Sequence, residues 1–143
     1  MRERPAGPHD PELLATIYLR HHRLHDDADF WAWEEAHDYL LHGEPERAWV
    51  VLLALVRQAE SEDLEYVGAG LLEDLCQDHG PAFIDRIEAH AANDPKFKDA
   101  LSNVWLNSLY APADVVQRLV VASGWAIKPF ELDYEKADDA DSA

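Results

Sequence analysis

The stretch "VGAGLLEDLCQDHGPAFIDRIE", Val67 to Glu88, decides how this 143-residue chain folds. It is open to three readings: a phosphate loop, a carboxylate active site, or two packed helices. Gly68 and Gly70 supply G-x-G, but the third glycine of a dinucleotide fingerprint and the lysine of a P-loop are missing, and no strand precedes them. The apolar residues settle the matter. Leu64, Val67, Leu71 and Leu75, then Ile84, Ile87 and Ala91, recur at helical spacing. A glycine inside a helix costs about 0.5 to 1 kcal/mol relative to alanine. Gly68 and Gly70 therefore predict that a neighbouring helix passes close by. The expected neighbour is "AWVVLLALV", Ala48 to Val56, the longest unbroken apolar run and far too short to cross a bilayer.

Outward from this stretch, proline marks the helix starts. Its missing N–H and fixed φ suit the first helical position, and Pro11, Pro45, Pro81, Pro95 and Pro112 all read that way. Asp10 and Asp94 stand ready as N-caps, and Gly43, Gly80 and Gly124 sit where helices stop. The result is an all-α chain of about seven antiparallel helices, over 11–23, 28–42, 45–60, 63–79, 81–92, 95–109 and 112–123, with no convincing strand. Consecutive pairs repeat on the scale of helical hairpins, so a short solenoid-like stack and an irregular bundle both fit. The tetratricopeptide signature is absent. Residues 1–130 read as one helical domain with residues 1–8 loose, and 131–143 as an acidic, disordered tail.

Charge is unevenly spread. Residues 26–94 hold eighteen acids against Arg47, Arg57 and Arg86, and the whole chain carries a formal charge of -17. Such a body repels nucleic-acid phosphates and anionic membrane surfaces and attracts basic partners. The expectation is a basic protein partner, with neither nucleic acid nor membrane. One cysteine and no basic-then-apolar leader fit a reducing cytoplasm.

Within the opening stretch, Glu73 falls opposite the core arc, whereas Asp74 lies at its edge and Glu88 holds the equivalent place beside Ile84 and Ile87. A half-buried carboxylate needs donors or a cation, and Arg57 and Arg86 are the expected sources. Glu73, Asp74, Asp85 and Glu88, together with Trp31, form the candidate partner-binding set. Phe30, Trp33 and His37 read as a core-facing stripe, and Trp49 and Trp105 as core.

Gly68 to Trp105, preceded by "EPERAWVVLLALV", resembles an uncharacterised bacterial helical domain family with a G-x-G-x-L-E-D-L-L core, then H-G, I-x-x-I-E, D-P-x-F and V-W. Cys76 stands where that pattern has an aliphatic residue, and Lys98 where it has arginine. The resemblance covers about half the chain and implies a helical fold and a bacterial origin. It carries no activity.

Metal and nucleophile readings are weaker. His21 and His25 share a helical face and Glu34 to His37 gives one Glu-x-x-His, but a di-metal bundle needs a second such motif. Cys76 has His79 three residues on and no orienting group, and no serine sits in an elbow motif. No cofactor is expected. The leading class is a binding module for a basic protein, of which an immunity or inhibitor protein is one form. A metal-dependent or carboxylate-based hydrolase is the alternative, and a helical subunit that only oligomerises, using Trp125, Ile127 and Phe130, is a third.

Overall fold

The computed structural model describes residues 4–106 and 111–129. Among the described residues seven α-helices carry the fold: α1 Pro11–Leu24, α2 Phe30–Leu41, α3 Pro45–Gln58, α4 Ser61–Val67, α5 Glu73–Asn93, α6 Pro95–Leu101 and α7 Ala113–Ala122. The 3-10 turn Asp27–Asp29 leads into α2. Asp10 caps α1 by accepting from Leu13 N–H, and Asp94 caps α6 by accepting from Lys96 N–H, as their positions predict.

Helix α3 is the hub and touches α1, α2, α4, α5 and α6. Its apolar run explains this: Val51, Leu52 and Leu55 are at most 1% exposed, so it must be surrounded. Helix α1 lies along both α2 and α3, and α5 lies along α6 and α7. Contacts between helices three apart, α1 to α4, α2 to α5 and α3 to α6, which a linear stack of hairpins lacks, make this an irregular bundle.

The deciding stretch holds the two predicted helices, which meet at His79, where the backbone is non-helical with φ -136°; what the sequence does not show is the π-helical turn at Gly68–Leu72 within the first. Pro81 stands in the first turn after that break, as predicted, where its missing N–H costs no helical hydrogen bond. The close neighbour of Gly68 is α6 and not α3: a Cβ on Gly68 would lie 2.0 Å from the carbonyl oxygen of Ala100. Leu71 and Leu72, adjacent across the π turn, are both fully buried.

Helix α6 ends at Leu101, well before the predicted residue 109; residues 107–109 lie outside the described residues. Ser102 Oγ and Asn103 Nδ2 both donate to Asp99 O and so take over a carbonyl of the last turn. Beyond it, Trp105–Leu106 pairs in parallel with Lys128–Pro129, a two-residue bridge that apolar spacing alone does not reveal. Trp105 is consequently 55% exposed and not core, whereas Trp49 is buried as predicted. In the aromatic stripe, His37 is buried, Trp33 is partly buried and Phe30 is 41% exposed.

Of the segment expected to be loose, residues 4–8 run against α2, where Arg4 pairs with Asp38. The tail at 131–143, together with Phe130, lies outside the described residues.

Candidate functional site

Helix α5 carries four of the five sequence-predicted residues, and the kink at His79 divides them into two pairs. Fifteen residues and the break at His79 lie between Glu73 and Glu88, and the two pairs engage different neighbours. Each pair already has partners.

Glu73 is half-buried and accepts from the backbone N–H of Trp105 at 2.7 Å. Burial raises its pKa above the usual carboxylate range, the Trp105 hydrogen bond works against that, and the neighbouring Asp74 charge adds to it. Asp74 hydrogen-bonds His37 Nδ1 at 2.9 Å. The other ring nitrogen, Nε2, meets the Tyr18 hydroxyl at 3.1 Å, with Trp33 stacked on the imidazole at 4.0 Å. A polar chain thus runs from half-exposed Asp74 through His37 to fully buried Tyr18. Desolvation raises the Tyr18 pKa well above its ordinary value, which keeps that hydroxyl neutral and out of nucleophilic chemistry.

Asp85 and Glu88 share Arg118 of α7. The guanidinium reaches Asp85 at 2.6 Å and both oxygens of Glu88 at 2.5 and 3.0 Å. The hydrogen bond from Arg118 holds the Glu88 pKa low. The predicted cations go elsewhere: Arg57 pairs with Glu12 of α1, and Arg86 grips Glu46 of α3 at 2.7 and 2.8 Å. The four carboxylates therefore tie α5 to its neighbours, Glu73 through the Trp105 N–H, Asp74 through His37, and Asp85 and Glu88 through Arg118.

Trp31 lies about 120° around α2 from His37. It is partly buried, and the ring of His9 packs on it with centroids 4.5 Å apart. Glu35 and Asp38 follow at i+4 and i+7 and share its face. Glu35 is the carboxylate that sequence reading missed. It is 2% exposed, and it accepts from His9 N–H at 2.9 Å and Tyr39 Oη–H at 2.6 Å, with His9 Nδ1 at 2.6 Å. Burial pushes its pKa up, but these hydrogen bonds more than offset that and hold it below the usual range. Glu-x-x-x-Tyr spacing, Glu35 to Tyr39, is the signal that could have found it.

The weak metal candidates are not brought together. His21 Nδ1 contacts Asp26 O at 2.9 Å, His25 ends α1 in a left-handed conformation, and His37 is held between Tyr18 and Asp74. Among the described residues no group of three or more His, Cys, Asp or Glu is placed to hold a metal ion. Cys76 is fully buried, and desolvation raises its pKa far above that of a free thiol, so it is no nucleophile. No described helix is long and apolar enough to cross a membrane.

Residues 20–126 match the model of DUF6869, a family of unknown function. The chain belongs to DUF6869. The DUF6869 match spans α2 to α7 and the end of α1, and so takes in all five sequence-predicted residues as well as Glu35 and Asp38. Arg4, Gly7 and His9 lie before it. No match to the chain was found among curated proteins or among solved structures.

Proposed function

We propose that this protein is an acidic helical module that binds a basic protein partner. The supporting observation is how its cations are used. All seven arginines among the described residues, Arg4, Arg20, Arg23, Arg47, Arg57, Arg86 and Arg118, are engaged by the protein's own carboxylates. Exposed Glu62, Glu65, Asp78, Asp99 and Asp114 have no cationic partner among the described residues. The surface therefore presents surplus negative charge, which raises the encounter rate with a cationic protein and repels phosphate backbones. An inhibitor that covers a cationic site on its partner is one form of this class. The hydrolase reading gains no support from the Tyr18–His37–Asp74 chain, since its hydroxyl is sealed in the core.

Affinity capture from a lysate of the source organism, at about 50 and 200 mM salt, tests the reading. The expected result is retention of a basic protein that weakens at the higher salt. Retention of nothing at either salt, or only of acidic proteins, overturns it.

A further inference from the structure

The segment Arg4–Asp10 crosses α2 as a strap that sets Arg4 and His9 against two acidic residues of that helix. Arg4 pairs with Asp38, His9 engages both oxygens of Glu35, and the His9 ring covers Trp31. Gly7 passes so close that a Cβ there would lie 2.5 Å from Glu35 Oε1. The strap thus supplies two of the three polar contacts of Glu35, the third coming from Tyr39 within α2. A carboxylate this buried is costly without donors. Whatever replaces the strap must bring N–H groups or a cation to the same place, together with a small residue at the Glu35 crossing.

The seat is also wider than the strap. Open clefts of about 230 and 450 Å³ flank Pro8; Tyr39 and Arg47 line both, and Val50 and Val51 line the larger. Those clefts leave room for a longer segment than the one in place.

We infer that the Trp31–Glu35–Asp38 face of α2 is the docking site for the basic partner, and that the strap is an intramolecular occupant which the partner displaces. This inference rests on the binding-module reading and adds to it a site and a regulator. The occupant it selects is an extended segment bearing an arginine and N–H donors, with glycine or another small residue between its contacts to Asp38 and Glu35. An occluded site binds with its intrinsic affinity scaled by the fraction of time it is open. Loosening the strap therefore raises affinity.

The probe is a synthetic peptide with the sequence of residues 4–10, RPAGPHD, titrated into the isotope-labelled full chain to about the millimolar range that short tethers impose on their ends. Three full-chain forms are compared: wild type, Arg4→Ala/His9→Ala, and that pair with Asp38→Asn. The double variant is expected to bind about tenfold more tightly than wild type, with chemical-shift changes at the Trp31 indole and the Glu35 and Asp38 amides, and Asp38→Asn is expected to remove the gain. Equal titration of wild type and double variant, or shifts away from α2, overturns the inference. Arg4→Ala alone alters one surface ion pair and serves if the double variant melts below the assay temperature.

A second arm uses the double variant as bait in the lysate capture. Greater retention of the basic protein than by wild type supports the docking face. Equal retention overturns the strap's role and leaves the binding module standing, whereas no retention by either bait removes both.

Discussion

Gly68 shows how much one hydrogen atom can decide. The Ala100 carbonyl occupies the space a methyl group would need, and it belongs to backbone that cannot rotate away. Gly70, two residues on, meets only the Tyr18 hydroxyl, 3.4 Å from a built Cβ. The two glycines look alike in sequence and differ in consequence. Gly68→Ala is expected to destabilise the protein by about 3 kcal/mol, at the upper end of overpacking costs, while Gly70→Ala is expected to be neutral or to stabilise it by up to about 1 kcal/mol. Urea denaturation midpoints of the two variants check this; equal losses would mean that the α6 contact is not what Gly68 serves. The sequence predicts a close approach at both positions, but it cannot say which partner is backbone and which a side chain that can yield. The same limit applies to Glu35. Its burial is set by residues 26 positions earlier, beyond the reach of any local pattern.

At the scale of elements, helical spacing and the prolines predict α1, α2 and α3 within two residues at each end. They fail where an element depends on another element's backbone. The π turn at Gly68–Leu72 exists because α6 must fit against Gly68, and the end of α6 depends on Ser102 and Asn103 turning back on Asp99. Apolar periodicity runs straight through both. A π turn holds one residue more than the α-helical turn it replaces, so it takes up that residue while α4 and α5 keep a common alignment. Deleting exposed Ala69 is expected to convert the turn to α geometry with α5 still in register with α4, because five π-helical and four α-helical residues both turn the chain by about 400°, so Leu71, Leu72 and Leu75 stay in the core. The expected outcome is a cooperative thermal transition by circular dichroism at a somewhat lower midpoint. Loss of that transition would show that the π geometry itself is needed for the fit of α6.

For the molecule as a whole, acidity and stability are linked through individual carboxylates. Arg20 holds Asp29 low, and Tyr39 and His9 hold Glu35 low against its burial. Arg23 and the Glu60 N–H do the same for Asp63, also against burial. A carboxyl whose folded pKa lies below its unfolded value adds stability in full above that unfolded value and loses it as pH falls through the folded one. Glu73 is raised, so its sign is opposite and it favours folding on acidification. The lowered group is the larger, so the urea midpoint is expected to hold between pH 7 and about pH 5 and to fall steeply below about pH 4. A midpoint that rises throughout acidification would mean that relief of the -17 charge outweighs these pairs. Composition alone shows the surplus of acid, but only the fold shows that the described arginines are spent on internal pairs.

Cys76 offers a use beyond packing. It is the chain's single thiol and is fully buried between the π turn and the kink. A thiol reagent must therefore wait for the surrounding helices to part. Its labelling rate is a clock wired into the bundle, timing how often the junction opens in the intact protein.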